Sequence, residues 1–248
     1  MNAMRLTNNT ILITGGSSGI GLFLGKLLVA KGNTVIVCGK SSERLLTAQR
    51  EEPGLITYAC DLSDSGSTRV FSEWLVKKYP RLNILINNAA VANRIDFFNH
   101  PDALALAESE YQTNLIAPIR LVKLLFPTIS RNESPSIINV TTGLIYAPRM
   151  VYPFYNSSKS ALHSFTQTLR LSLAQTGVRV IEVMFPAVDT PWHKGNPPKI
   201  AIPVDRAVAE MIRGLEKDTP EIRVGRTKLL YVLSRIAPGF ALRKINAM

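Results

Sequence analysis

Residues 10–21 read Thr-Ile-Leu-Ile-Thr-Gly-Gly-Ser-Ser-Gly-Ile-Gly. The first five are β-branched or aliphatic, a composition that suits a strand buried on both faces. The glycines that follow allow a tight turn and let backbone N–H groups approach a pyrophosphate. From about Ile20 an apolar helical pattern runs to Lys31, and the N-terminus of such a helix favours negative charge. A glycine-rich turn on its own has little specificity. Its weight comes from its place after a first strand, within a pattern that repeats downstream.

The same unit recurs along the chain. Residues 34–38, 55–60, 82–86, 136–141, 178–185 and 221–224 read as further strands. Helical patterns separate them over about 42–51, 65–79, 103–130, 154–175 and 204–217. Such alternation predicts an α/β fold: a doubly wound parallel sheet of about seven strands with helices on both faces. Ligands then belong at the carboxyl ends of the strands. Residues 186–203 are rich in Pro and Gly and read as a loop. A helix near 229–236 is expected to stop at Ala237-Pro238-Gly239. No linker or internal repeat divides the chain, so residues 1–248 read as one domain with a basic extension from about 226.

Composition narrows the function classes. Of 248 residues 46% are apolar and 19% charged, enough to build a large core. No apolar run reaches the roughly 18 residues of a membrane span. The polar stretch 1–9 does not read as a signal peptide. Two cysteines, Cys38 and Cys60, fit a reduced, cytoplasmic setting better than a disulfide scaffold. Three histidines without metal-type spacing argue against a zinc site. The net charge of +11 favours anionic partners. Residues 222–248 carry Arg223, Arg226, Lys228, Arg235, Arg243 and Lys244 and no acid. Leucines interleave with these cations. The segment reads either as a cover for a pocket or a neighbouring subunit with solvated arginines, or as a contact for an anionic membrane or an acidic carrier protein. Charge alone, without a recognition motif, does not support nucleic-acid binding.

Several residues fall where a dinucleotide would lie. The second strand ends Val37-Cys38-Gly39-Lys40, with no acid for an adenosine ribose; Lys40 can instead face a 2′-phosphate, favouring NADP(H) over NAD(H). Ser17 or Ser18 could add a hydroxyl. Asp61 closes the third strand and could accept from an adenine amino group. Tyr155 and Lys159 stand four apart on a predicted helix and so share a face. A phenol works as an acid–base near neutral pH only beside positive charge, which Lys159 could supply. Thr142 follows the fifth strand, and its hydroxyl could hold a carbonyl oxygen. Asn87-Asn88-Ala89-Ala90 follows the fourth strand, and Asn114 lies in the long helix after it.

With TGGSSGIG at 14–21, CDLSD at 60–64, NNAA at 87–90, Asn114 and YNSSK at 155–159, the chain resembles the single-domain short-chain dehydrogenases/reductases over about residues 8–225. NLIAPIRL, FPAVDT and EIRVGRTKLLYVLSRIAPGFA extend the resemblance, to the DltE-like branch, to about residue 242. The resemblance implies a Rossmann-type sheet and carbonyl–alcohol oxidoreduction with NADP(H). Tyr155 would be the general acid and Lys159 the ribose-binding residue that lowers its pKa. Asn114 would hold a water leading to Lys159. The resemblance also places Gly15, Ser17, Ser18, Gly19, Ile20, Gly21, Lys40, Asp61, Leu62, Asn88, Ala89, Pro186, Val188 and Thr190 at the cofactor. It implies a homodimer or homotetramer. Two positions depart from the family pattern: Thr142 stands where serine is usual, and Ala90 where glycine is usual. Leu144, Ile145, Tyr146, Met150, Tyr152 and Trp192 are candidates for an apolar substrate pocket. The competing reading is a non-catalytic NADP-binding regulator or scaffold.

Overall fold

A computed structural model describes residues 4–193 and 195–247, so residues 1–3 of the polar stretch 1–9 lie outside the described residues. The strands are β1 (Thr10–Thr14), β2 (Thr34–Gly39), β3 (Leu55–Ala59), β4 (Leu82–Asn87), β5 (Ser136–Thr142), β6 (Arg179–Phe185), β7 (Val188–Asp189), β8 (Ile202–Pro203) and β9 (Glu221–Arg223). β7 and β8 pair only with each other; the other seven form one sheet of order β3-β2-β1-β4-β5-β6-β9. Every pairing in that sheet is parallel. The order reverses between β1 and β4, which opens a crevice at their carboxyl ends.

Helices α1 (Gly19–Ala30), α2 (Ser42–Glu51), α3 (Ser65–Lys78), α4 (Ala103–Tyr111), α5 (Ala117–Ile129), α6 (Pro153–Ser172) and α7 (Val204–Glu216) follow the strands. Strand side chains alternate between faces, and the core divides accordingly. Ile11, Ile13, Val35 and Val37 pack with α1 and α7 residues such as Leu24, Leu28 and Met211. Leu12, Ile36 and Cys38 pack on the other face with Phe71, Leu121 and Leu125 of α3 and α5. On α6, Phe165, Leu169 and Leu173 also pack against this second cluster, so that apolar stripe is directed at its own sheet. Cys38 and Cys60 are free and buried. No helix among the described residues is long and apolar enough to cross a membrane.

Two expectations need correction, and a third needs an addition. The long helix over 103–130 is not uniform: α4 and α5 are joined by a π turn at Gln112–Ile116. Pro118 has no N–H, so the carbonyl of Asn114, four residues back, loses its α-helical donor, and the turn widens. The loop 186–203 contains β7, β8 and a 3-10 turn at Pro191–His193. α8 (Thr227–Ile236) stops at Ala237-Pro238-Gly239 as expected, and a further helix, α9 (Pro238–Asn246), starts there. Proline in a first turn gives up an N–H that would be unpaired there anyway, so Pro-Gly marks a start here as well as a stop.

At the amino edge of the sheet, three buried asparagines tie neighbouring segments. Asn33 accepts from the Asn9 backbone N–H at 3.0 Å and donates to the carbonyls of Leu6 and Leu28, both at 2.8 Å. Asn83 donates to Asn9 Oδ1 at 2.8 Å and accepts from the Thr10 N–H at 3.0 Å. This edge is opposite the crevice, so it should affect stability alone. Asn33→Ala leaves buried partners unpaired and is expected to cost about 2 kcal/mol or more, read by denaturant unfolding, with dinucleotide affinity unchanged.

Candidate active site

β5 and α6 bring Thr142, Tyr155 and Lys159 together at the carboxyl edge. Thr142 is buried; its Oγ1 accepts from the Leu144 N–H at 3.3 Å, which caps the short turn Gly143–Ile145. Its own proton is then free to donate to the Tyr155 phenol, where it favours phenolate. Burial is the larger influence, and pushes the phenol up to about 12. In this structure Lys159 is not among the groups that set the Tyr155 pKa. Lys159 Nζ donates instead to the Val140 carbonyl at 2.8 Å. Lys159 is only 2% exposed, and its loss of hydration pulls its pKa down to about 8.

Asn114 lies on the π turn and is fully buried. Its Oδ1 accepts from the Val91 N–H, and its Nδ2 donates to the Val91 carbonyl, both at 2.8 Å. Nδ2 also donates to Ser158 Oγ at 3.1 Å. The side chain thus clamps the segment after β4 to α6, and both of its donor hydrogens are used.

The glycine turn shows why small residues stand there. Gly15 has φ +66°, and a Cβ on it would lie 2.8 Å from the Ala89 Cα. A Cβ on Gly21 would lie 2.4 Å from the Gly15 carbonyl oxygen. Asn88 closes the turn against β4, with Nδ2 donating to the Thr14 carbonyl at 2.9 Å, and the N–H groups of Asn88 and Ala89 both donate to Thr14 Oγ1 at 3.0 Å. Asn88 and Ala89 therefore shape the cradle through their contacts with Thr14. Ser18 is the N-cap of α1 but makes no side-chain capping bond, and the first turn carries no acid. The N-terminus of α1 is open to an anion, as a pyrophosphate needs. Thr190 stands against Gly19, at 3.4 Å from an added Cβ, and Val188 holds that segment through its pairing with Ile202. Ser17 Oγ lies 3.2 Å from a Cβ built on Gly39, at the end of β2. Ile20 packs on the core, Leu62 is buried, and Pro186 is partly exposed.

Lys40 and Asp61, assigned separately from sequence to a 2′-phosphate and to adenine, are ion-paired at 2.6 Å. The pair raises the Lys40 pKa and holds the Asp61 carboxyl low, with help from Ser63. Of the six pocket candidates, Tyr152 and Trp192 converge on Tyr155, with ring centroids 6.5 Å from it in each case. Tyr146 does not belong there: it bonds Arg223 Nε at 2.9 Å and packs on Tyr231 at 5.1 Å. Met150 is also displaced, exposed beside α9, where its N–H donates to Asn246 at 2.6 Å.

Two buried acids escaped the sequence reading. Glu182 on β6 is fully buried, accepts from Thr141 Oγ1 at 2.5 Å and meets His163 Nδ1 at 2.7 Å. His163 is one turn beyond Lys159 on α6, and the Glu182 charge favours the Lys159 ammonium. The signal was there as an acid inside the apolar run 180–185. Glu110 on α4 accepts from Asn93 at 2.7 Å and 2.8 Å, and its burial raises its pKa. Nothing in the local pattern of α4 marked it.

Residues 9–200 match the family model for short chain dehydrogenases. An uncharacterized oxidoreductase, DltE, of Bacillus subtilis (strain 168) is 45% identical over 187 residues, which cover 75% of this chain and 74% of that protein. A short chain dehydrogenase from Burkholderia cenocepacia J2315, solved in complex with NADP, superposes with a TM-score of 0.85 at 22% identity, covering 98% of this chain and 99% of the other. One from Sphingobium yanoikuyae, in complex with NADPH, superposes with a TM-score of 0.80 at 24% identity, covering 95% and 93%. At those identities the two structures bear on the fold.

The acid under Lys159 can be tested directly. Glu182→Gln removes the charge that favours the ammonium, so the Lys159 pKa should fall below about 8. The ¹³Cε shift of Lys159 against pH reads this, its resonance assigned by loss in Lys159→Met; an unchanged midpoint contradicts the role. The His163 pKa is raised above its ordinary 6.5 chiefly by Glu182. The pair's stabilisation is therefore complete below the ordinary value and lost as pH rises through the higher folded value. His163→Gln should lower Tm most at acid pH and least at alkaline pH.

Proposed function

The chain belongs to the short chain dehydrogenase family, and we propose that it is an NADPH-dependent reductase of an apolar ketone or aldehyde, or the corresponding alcohol dehydrogenase in reverse. One observation carries this reading: Tyr155 and Lys159 stand one helical turn apart on α6, with the Thr142 hydroxyl near enough to the phenol to favour phenolate. When bound, the nicotinamide supplies or accepts the hydride. The open N-terminus of α1, between Gly15 and Gly21, would take the pyrophosphate.

The chain's own residues handle the proton. At neutral pH a phenol raised to about 12 keeps its proton, which suits donation to an alkoxide as charge develops there. With substrate present the Thr142 proton would turn from the phenol to the same oxygen, and the two donors together would stabilise that charge. Lys159, at about 8, is mostly an ammonium at neutral pH, and would leave the Val140 carbonyl to bind the nicotinamide ribose. Its positive charge beside the phenol then supplies the influence needed for the reverse direction. Because the Asn114 side chain is occupied, its main-chain carbonyl, freed by Pro118, is the group left to hold a water. Tyr152 and Trp192 form an aromatic wall beside Tyr155, which supports an apolar substrate. Lys40 supports NADPH over NADH, through its ammonium on a 2′-phosphate. Assembly as a homodimer or homotetramer belongs to the same proposal.

Purified protein assayed with NADPH against a panel of apolar carbonyls tests the reading; binding without turnover across the panel would favour the non-catalytic alternative. Tyr155→Phe should abolish turnover and leave NADPH affinity nearly intact, whereas Lys159→Ala should impair both. Thr142→Ser should retain activity and Thr142→Ala should lose most of it. Wild-type turnover by Tyr155→Phe would refute the assignment. Lys40→Ala should weaken NADPH far more than NADH in a binding titration, and equal losses would remove Lys40 from the 2′-phosphate.

A further inference from the structure

Beyond the edge strand β9, α8 and α9 form a helical hairpin whose inner side packs on the body of the protein. Thr227 is buried against Gly143, where a Cβ on the glycine would come within 3.0 Å of its Oγ1. Tyr231 covers Tyr146 and lies under the Arg223 guanidinium at 4.0 Å. On α9, Ala241 is buried, and Asn246 donates to the Pro148 carbonyl at 3.0 Å.

The outer face is different in kind. Leu229, Val232 and Ile236 follow one another at spacings of three and four on α8, and are 66%, 48% and 78% exposed. On α9 Phe240 is 51% exposed, while Leu242, 45% exposed, lines a groove against α6 with Met150 and Pro153. The chain itself does not cover these side chains. Around them stand Arg226, Lys228, Arg235, Arg243 and Lys244, all exposed. Among the described residues no ion pair neutralises any of the five, and residues 222–248 contain no acid.

The occupant of this face has to satisfy both its apolar and its cationic parts. A second copy meeting it symmetrically would bring five unneutralised cations against five. An acidic protein would answer the cations but gives no reason for aliphatic side chains this exposed. An anionic bilayer answers both: leucine, isoleucine and phenylalanine enter the boundary between headgroups and acyl chains, while arginine and lysine reach the phosphates. We propose that the α8–α9 hairpin docks this protein on an anionic lipid surface. Docking is independent of the catalytic reading, because it uses no residue of the nicotinamide or substrate site.

Flotation of the full chain with vesicles tests the proposal without any assay of turnover. The protein should float with phosphatidylcholine–phosphatidylglycerol vesicles at low salt and stay behind with phosphatidylcholine alone. Binding should weaken as salt rises, since exposed charges are screened over about 8 Å at physiological ionic strength. The double variant Leu229→Ser, Ile236→Ser alters exposed side chains only, so it should keep the native Tm and lose most of the vesicle binding. Arg235→Glu with Lys244→Glu should do the same. In Phe240→Trp, the indole emission should shift to the blue on anionic vesicles. Failure to float with anionic vesicles at low salt would overturn the proposal. So would full binding by the serine variant, which would mean charge adhesion alone. A dimer in light scattering that the serine variant dissociates would assign the face to a second copy. Binding to an acidic acyl carrier protein without vesicle binding would assign it to a protein partner.

Discussion

Lys159 carries an ammonium into the interior of the molecule, and that charge has to be held there. An unpaired buried ion is costly enough that the group would otherwise shed its proton. Its direct partner is the Val140 carbonyl, and Glu182 supplies the opposing charge. The elements around the site are arranged by this requirement. β5 presents the carbonyl, and β6 presents the acid at a register position opposite Asn139. α6 carries Tyr155, Lys159 and His163 at successive turns, so that acid–base residue, ammonium and partner of the counter-charge follow one another along one face. The same helix is fixed to the sheet by Asn139, which donates to Thr166 at 2.8 Å and accepts from Asn87 at 2.8 Å. Asn114 and Ser158 fix it to the segment after β4.

The two edges of the sheet have separate duties. The amino edge is tied by asparagine side chains that satisfy main-chain groups. The carboxyl edge leaves the N-terminus of α1 without a side-chain cap, brings backbone to backbone where Gly15 and Gly21 allow it, and gathers the groups with altered proton affinity. A phenol pushed up and an ammonium pulled down by the same burial are poised in opposite directions. A positive charge placed beside the phenol would favour phenolate.

Most of the sheet was legible because its signals are local. β-branched runs such as 10–14 and 34–38, separated by helical periodicity, specify parallel strands without any tertiary information. Tyr155 and Lys159 were legible for the same reason, as their spacing is a property of one helix. What escaped depends on distant contacts. Lys40 and Asp61 were placed correctly at neighbouring strand ends, yet their mutual ion pair is a fact about β2 beside β3. Tyr146 had the right character for a pocket, but Arg223 and Tyr231, from segments about 80 residues away, draw it elsewhere. Pro118 could have announced the π turn, since a proline inside a helical pattern always deprives the carbonyl four residues earlier. Glu182 stood out only as an acid in an apolar strand, and its partner His163 is brought to it by the packing of α6 on β6.

Crystals grown with NADP+ test most directly whether Lys159, held by Val140 and balanced by Glu182, receives a nicotinamide cofactor beside Tyr155. The pyrophosphate is expected at the N-terminus of α1 and the nicotinamide ribose on Lys159 Nζ, which will have left the Val140 carbonyl. Cofactor bound elsewhere, or bound across the glycine turn with Lys159 out of reach of the ribose, would contradict that role.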